Sequence, residues 1–183
     1  MTDGTRVPST FRTLIADPPW AFGDSLPGPK RGAKKHYRTM SVDEICDFPI
    51  PAMEEHSMLF LWRVSSMVEE AYEVVRHWGF EPKAELVWRK LSATGDKLHF
   101  GMGHFTRASH ETCIIATRGS PPIRSRSVRS VFDAPVGAHS SKPDAFYEVV
   151  EDLTYGPFAE LFARRHRKGW TCYGAELPPE KDF

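Results

Sequence analysis

The stretch LIADPPW, residues 14–20, ends a short apolar run with an acid, two prolines and an indole. The apolar run predicts a buried β-strand over Phe11–Ala16. Asp17 then lies at the carboxyl end of that strand, where open α/β sheets bind their ligands. The two prolines offer backbone carbonyls but no N–H, and Trp20 offers a flat aromatic face. Such groups suit the exocyclic amine of a planar ring, for example a nucleobase. The tetrapeptide alone fits equally well a strand-end turn with Trp20 in the core.

Composition excludes several classes of protein. The 183 residues carry 24 basic and 24 acidic side chains, which argues against a protein that coats DNA through net charge. We find no apolar run of transmembrane length, and residues 1–10 lack the apolar core of a signal peptide, so we expect a cytoplasmic protein. The 3 cysteines are far apart and the 8 histidines are scattered. This pattern predicts a reduced chain without a metal site. The missing transmembrane run predicts that the protein has no membrane partner.

Basic residues collect in loops that contain no acid. Residues 30–38 and 118–129 are two such segments, and residues 164–168 add a third cluster. Acid-free basic loops favour a phosphate-backbone partner over a merely solvated surface. A further long loop, residues 91–106, contains two glycines and a histidine that suit a phosphate, but it has no phosphate-loop motif, and a plain flexible loop fits it better. The candidates for binding nucleic acid are Lys34, Lys35, Tyr37, Arg38, His104, Arg124, Arg126 and Arg129.

Strand-like and helix-like segments alternate along the chain, which predicts an α/β fold with a mostly parallel sheet and helices on both faces. Helices should begin after Ser41 and Ser66, each followed three residues later by a glutamate, and at Pro143 in the first helical position. The last two strands have no helix between them, so one sheet edge is expected to be antiparallel. We predict one domain over residues 11–177, with a polar tail at 1–10 and a short tail at 178–183. The predicted strands are 11–16, 57–62, 80–90, 110–117, 131–132, 155–162 and 169–174.

Several short motifs follow the first one in a fixed order. They are ADPPW at 16–20, YRTMS at 37–41, LW at 61–62, GHF at 103–105, HE at 110–111, SKPD at 141–144, ELFAR at 160–164 and YGAEL at 173–177. This set resembles the DPPW family of N6-adenine methyltransferases, the MT-A type that includes the catalytic subunit of the messenger-RNA adenosine methyltransferase. The resemblance implies a Rossmann-like, S-adenosylmethionine-dependent fold with a permuted motif order. The catalytic strand then comes first and the cofactor-binding strand late.

The resemblance also implies roles for individual residues. Asp17, Pro18, Pro19 and Trp20 form the catalytic segment. In it the Asp17 carboxylate and the Pro18 carbonyl accept the two N–H groups of the target amine, while Trp20 stacks on the base. Arg164 and His166 should contact the ribose of S-adenosylmethionine, and Lys142 lies in a loop that closes over the cofactor. The full set of cofactor candidates is Ala16, Asp17, Lys142, Phe162, Arg164, His166, Arg167, Ala175 and Glu176.

Three positions depart from the family pattern, which often has Gly where Ala163 stands and Asn where Arg167 and Ala175 stand. One lost hydrogen bond, worth about 1 kcal/mol, predicts weaker cofactor binding. Besides adenine-N6 methylation, a second hypothesis is therefore a weak or inactive partner subunit that binds nucleic acid. A third hypothesis is methylation of another planar amine, a cytosine or a glutamine amide. DNA is favoured over RNA because many microbial and phage members of the family act on DNA, and a bacterial or phage-infected cell is expected. A homodimer or a heterodimer is left open.

Overall fold

The computed structural model describes residues 7–22, 39–101, 105–137 and 141–179. Within them a seven-stranded sheet carries helices on its two faces. In chain order the elements are β1 (Phe11–Ala16), α1 (Val42–Cys46), β2 (Met53–Arg63), α2 (Val68–His77), β3 (Glu81–Leu91), β4 (His110–Arg118), β5 (Val131–Pro135), α3 (Asp144–Leu153), β6 (Phe158–Leu161) and β7 (Trp170–Tyr173). The strand order is β5-β3-β4-β2-β1-β6-β7.

Among the described strands, β4 alone runs against β1. β1 is parallel to β2 and β6, β7 is parallel to β6, and β5 is parallel to β3. β4 is antiparallel to both of its neighbours, β2 and β3. The Rossmann-like α/β prediction is confirmed, but the prediction of an antiparallel edge is wrong. Residues 162–169 cross over from β6 to a parallel β7 without forming a helix. Because parallel neighbours are usually joined by a helix, the missing helix had suggested an antiparallel pair.

Alternate residues of the central strands point to opposite faces of the sheet. Leu14 and Leu61 are buried on one face with Val74 of α2, while Ile15 and Phe146 of α3 are buried on the other. The continuous apolar run of β2 therefore fills both cores. Because helices cover both faces of the sheet, the ends of its strands are the places to look for a ligand site.

The carboxyl ends of β1, β2 and β6 lie side by side. Ala16, the last residue of β1, pairs with Leu61 on one side and with Leu161 on the other. Asp17 and Phe162 are the next residues of their segments and so emerge at the same edge. We call this edge of the sheet the carboxyl edge and the other end the amino edge.

Two of the predicted helix starts need correction. The Ser41–Glu44 capping box is confirmed, with both of its hydrogen bonds formed. α2 instead begins after Met67, because a turn closed by the Met67 N–H and the Val64 carbonyl contains Ser66. Pro143 is the N-cap of α3 rather than its first helical residue, since its ψ of 152° is extended. None of the helices in the described residues is long and apolar enough to cross a membrane.

Gly119, the residue after β4, packs closely against the neighbouring chain at the amino edge, and this packing can be tested by substitution. Its φ is +58°, and a Cβ there would lie 2.3 Å from His56 Nδ1 and 2.7 Å from the Glu55 carbonyl oxygen. Gly169 also has a left-handed φ, of +81°, but a Cβ would meet nothing within 4 Å. Both alanine variants should lose about 1–3 kcal/mol to backbone strain. Gly119→Ala should lose about 1–3 kcal/mol more, because of the clash. Urea unfolding measures the difference, and equal midpoints would contradict it.

Candidate active site

A cavity of about 630 Å³ opens at the carboxyl edge beside Asp17. Its size is that of a small-molecule or cofactor site. Three segments build its wall: the turn after β1, the chain from residue 40 to residue 49 around α1, and the ends of β6 and β7. The lining residues are Asp17, Pro19, Met40, Asp43, Glu44, Asp47, Phe48, Pro49, Phe162, Ala163, Arg164, Gly174, Ala175 and Glu176.

The ends of β6 and β7 pack backbone against backbone on one side of the cavity. The Ala163 N–H donates to the Tyr173 carbonyl at 2.9 Å, and a Cβ on Gly174 would lie 1.9 Å from the Ala163 carbonyl oxygen. Phe162 has a left-handed φ of +60°, and its ring packs on Phe48 with 4.6 Å between the ring centroids. The unusual turn therefore falls on Phe162 and Gly174. Ala163 does not have a positive φ, so its methyl group is accommodated.

Lys142 binds the Asp17 carboxylate directly. Its Nζ lies 2.6 Å from Asp17 Oδ2, 3.4 Å from Glu111 Oε2 and 5.0 Å from the centroid of the Trp62 ring. Burial lowers the pKa of the Lys142 ammonium, but Asp17 and Glu111 more than offset this, so the net pKa is raised. One oxygen of Asp17 is thus held by a charged ammonium. The cofactor candidate Lys142 is a neighbour of the predicted catalytic acid.

Trp20 lies in the core and not in the cavity. The side chain is 3% exposed, and its Nε1–H donates to the Trp62 carbonyl at 2.9 Å. A tight turn, in which the Trp20 N–H donates to the Pro18 carbonyl at 2.9 Å, directs the indole inward. The stacking role predicted for Trp20 is therefore wrong in this structure, because neither ring face is open to a base. The Pro18 carbonyl keeps a second lone pair for another donor.

The other cofactor candidates separate into two groups. Phe162, Arg164, Ala175 and Glu176 line the cavity, and Arg164 Nε faces Glu176 Oε2 at 3.8 Å. Ala16 is 0% exposed within β1. His166 is exposed, with Nε2 at 2.8 Å from the Pro178 carbonyl oxygen.

Arg167 points away from the cavity, towards α3. It forms an ion pair with Asp144, and its guanidinium lies 3.6 Å from the centroid of the Tyr147 ring. Tyr147 in turn donates to Glu160 Oε1 at 2.7 Å, and burial raises the pKa of Glu160. The prediction that Arg167 contacts the cofactor is corrected, because α3 offers it both a carboxylate and an aromatic face.

Of the predicted nucleic-acid candidates, the structure describes three arginines, and these do not lie at the carboxyl edge. Lys34, Lys35, Tyr37, Arg38 and His104 lie outside the described residues. The loop with Arg124, Arg126 and Arg129 starts at the amino edge, since β4 runs against β1. The Arg124 N–H donates to Leu153 at the end of α3, a helix of 10 residues that starts beside Lys142. That helix is roughly 15 Å long, so Arg124 is far from Asp17.

Sequence reasoning missed two sets of site residues. Asp43 and Asp47 are four residues apart, which puts both on one side of α1, and the capping box gave the start of that helix. Their spacing could have signalled a helix face toward the cavity. Glu111 gave no such signal, because its contact with Lys142 depends on the position of β4 beside β2. Over the described ranges, no group of three or more His, Cys, Asp or Glu residues is arranged to hold a metal ion.

Comparisons with known proteins agree with the sequence motifs. The MT-A70 family model matches residues 11–176. A Medicago truncatula protein named "Putative N(6)-adenosine-methyltransferase MT-A70-like" is 32% identical over 171 residues, which are 91% of this chain and 26% of the relative. The human "N(6)-adenosine-methyltransferase catalytic subunit METTL3" is 30% identical over 172 residues, 91% of this chain and 28% of that protein. The chain thus spans about a quarter of the length of these relatives.

A shorter relative is matched over most of its length. The "Type II methyltransferase M.MunI" of Mycoplasma sp is 27% identical over 195 residues, which cover 93% of this chain and 79% of the relative.

The buried indole of Trp20 predicts a loss of stability on substitution. Trp20→Phe should lower the free energy of unfolding by about 1–3 kcal/mol, since it removes the donor to a buried carbonyl. Urea unfolding followed by circular dichroism measures this loss. A Trp20→Phe variant as stable as the parent would contradict the core position of Trp20.

Proposed function

The chain belongs to the MT-A70 family, and we propose on that basis that it transfers a methyl group from S-adenosylmethionine to the N6 amine of adenine in nucleic acid. The observation that carries the proposal is the Asp17 carboxylate at the carboxyl end of β1, which lines the cavity and is bound by Lys142 on one oxygen. Relatives named N(6)-adenosine methyltransferases support the same reaction.

The cavity fits S-adenosylmethionine in its chemistry. Phe48, Pro49 and Phe162 give apolar walls for a purine ring, and the Glu176 carboxylate beside Arg164 suits ribose hydroxyls. The missing side chain at Gly174 lets the end of β7 pack directly against the Ala163 backbone, which forms this part of the cavity wall. When bound, the cofactor supplies an electrophilic methyl group on a positively charged sulfur. Asp17 contributes the negative charge that suits it.

Asp17 prepares the target amine for attack. The lone pair of an adenine amine is delocalised into the ring, so the amine is a poor nucleophile. Lys142 occupies Asp17 Oδ2 and leaves Oδ1 to accept one amine N–H, while the Pro18 carbonyl accepts the other. Two fixed acceptors draw the nitrogen toward a tetrahedral shape and localise its lone pair, which is electrostatic preorganisation. After methyl transfer the nitrogen loses one proton, to the Asp17 carboxylate or to solvent.

We favour DNA over RNA as the acceptor. The chain covers 79% of the relative named a type II methyltransferase, a class defined by its action on DNA. In duplex DNA the target base must leave the stack, and that cost falls in a single strand. Sequence preference then comes from loops around the carboxyl edge or from a partner.

Nucleoside mass spectrometry tests this function. The protein is incubated with deuterium-methyl S-adenosylmethionine and an adenine-containing DNA or RNA oligonucleotide of the same sequence. Labelled N6-methyladenine is expected, with more in DNA. Label only in cytosine, or calorimetric cofactor binding without any label, would overturn the proposal.

Asp17→Asn should reduce the methylation rate by about 10²–10³-fold, because it removes one charged acceptor from the target amine. The dissociation constant for the cofactor, measured by calorimetry, should change far less. Asp152→Asn is the matched control, since Asp152 is exposed near the other end of α3. A rate for Asp17→Asn near that of the control would remove Asp17 from the reaction.

Arg126 and Arg129 should contact phosphates only of a long nucleic acid, because their loop starts at the amino edge. Replacing both with alanine should reduce the slope of log affinity against log salt by about 0.9 per lost phosphate contact. The methylation rate on a short single-stranded oligonucleotide should stay unchanged. An unchanged slope on long DNA would exclude these arginines from the interface.

A further inference from the structure

Four charged side chains form an alternating row at the carboxyl edge. Lys90 Nζ lies 2.5 Å from Glu111 Oε1, Lys142 Nζ lies 3.4 Å from Glu111 Oε2, and the same Nζ lies 2.6 Å from Asp17 Oδ2. The row runs across β3, β4, the segment before α3, and the end of β1. Each carboxylate oxygen in these contacts faces an ammonium.

The reversed direction of β4 brings Glu111 into this row. His110 and Glu111 are the first residues of β4, so they lie at the carboxyl edge, where the neighbouring β2 and β3 end. Glu111 pairs with Trp88 near the end of β3, two residues before Lys90. A parallel strand at this position would have put its first residues at the amino edge.

Lys142 is poorly hydrated in this position. Its side chain is 11% exposed, and the Trp62 ring covers one side. The Cys113 thiol is also near, and burial raises its pKa well above the ordinary value, so it adds no charge. The Glu85 carboxylate forms an ion pair with the Arg63 guanidinium at 2.9 Å and not with Lys142. Within the described part of the chain, the charges that face the ammonium closely are therefore the carboxylates of Asp17 and Glu111.

We propose that Glu111 is a positioning residue for methyl transfer. It keeps Lys142 charged and seated on Asp17 Oδ2, and through Lys142 it fixes the orientation of the Asp17 carboxylate toward the target amine. This inference rests on the proposed function. Both oxygens of Glu111 face cations, so Glu111 acts through Lys142 and does not itself receive the substrate proton.

The ionisation of both partners agrees with this role. Burial raises the pKa of Glu111, but Lys142 and Lys90 more than offset it, and the net pKa lies below the ordinary value. For Lys142 the two carboxylates likewise outweigh burial and raise the net pKa. When one carboxylate is removed, burial acts against a single counter-charge and the pKa of Lys142 falls.

The pH dependence of methylation tests the proposal. In the parent protein, kcat should stay level between pH 7 and pH 10, because Lys142 remains charged. In Glu111→Gln, kcat should fall on the alkaline side, with a midpoint at least about one pH unit below that of the parent protein. This corresponds to a tenfold change in the acid constant of Lys142. The KM for S-adenosylmethionine at pH 7 should change less than kcat at pH 9.

Two further variants separate positioning from a merely structural role. Glu111→Asp keeps the charge and should restore most of the alkaline activity. Glu85→Gln is the matched control, because it also removes a paired carboxylate from a strand of this sheet, and its pH profile should match the parent. A Glu111→Gln profile of unchanged shape, with only a lower thermal midpoint, would overturn the proposal.

A measurement without substrate distinguishes the failure of this inference from the failure of the proposed function. The ¹³Cε signal of Lys142, assigned by its loss in Lys142→Arg, is followed by NMR from pH 7 to pH 11 in the full chain. Its titration should move to lower pH in Glu111→Gln and stay in place in Glu85→Gln. An unshifted titration would overturn the role of Glu111, whether or not the protein methylates adenine.

Discussion

A buried ammonium needs counter-charges, and at Lys142 that requirement joins three distant segments of the chain. Asp17 follows β1, Glu111 lies at the start of β4 and Lys142 precedes α3. The Lys142 ammonium lies 2.6 Å from the Asp17 carboxylate and 3.4 Å from the Glu111 carboxylate. A buried ion pair adds little net stability, because desolvation offsets its attraction. Its value here is geometric. It fixes one carboxylate oxygen of Asp17 and leaves the other toward the place where the amine is expected.

Strand direction then decides which side chains can take part. β1 and β6 end side by side, so the turn at Asp17 and the turn at Phe162 share one cavity. β4 runs the other way, which puts its first residues at the same edge of the sheet as Asp17 and its last residue, Arg118, beside Ser57 at the amino edge. The same reversal supplies Glu111 to the site and carries the arginine loop after Arg118 away from it.

The sequence predicted those parts of the site that directly follow buried strands. Asp17, Phe162 and Glu176 line the cavity. The end of an apolar run predicted the position of Asp17, whereas Phe162 and Glu176 came from the resemblance to the family. Trp20 and Arg167 could not be placed in this way. Their orientation depends on the Trp62 carbonyl, on Tyr147 and on Asp144, which lie far away in the sequence. The antiparallel direction of β4 could not be predicted either, since an apolar run of strand length does not indicate whether the strand is parallel or antiparallel to its neighbours.

The departures from the family pattern have unequal consequences once the turns are known. The left-handed conformation falls on Phe162, and the close backbone approach falls on Gly174. Ala163 has neither a left-handed backbone nor a clash at its Cβ. Its methyl group is buried, and its N–H donates to the Tyr173 carbonyl. Arg167 has its own partners on α3. Of the three departures, Ala175 is left as the one that faces the cavity with a shorter side chain than the family pattern provides. Cofactor affinity should therefore depend on the groups beside it, Arg164 and Glu176, more than on the turn itself.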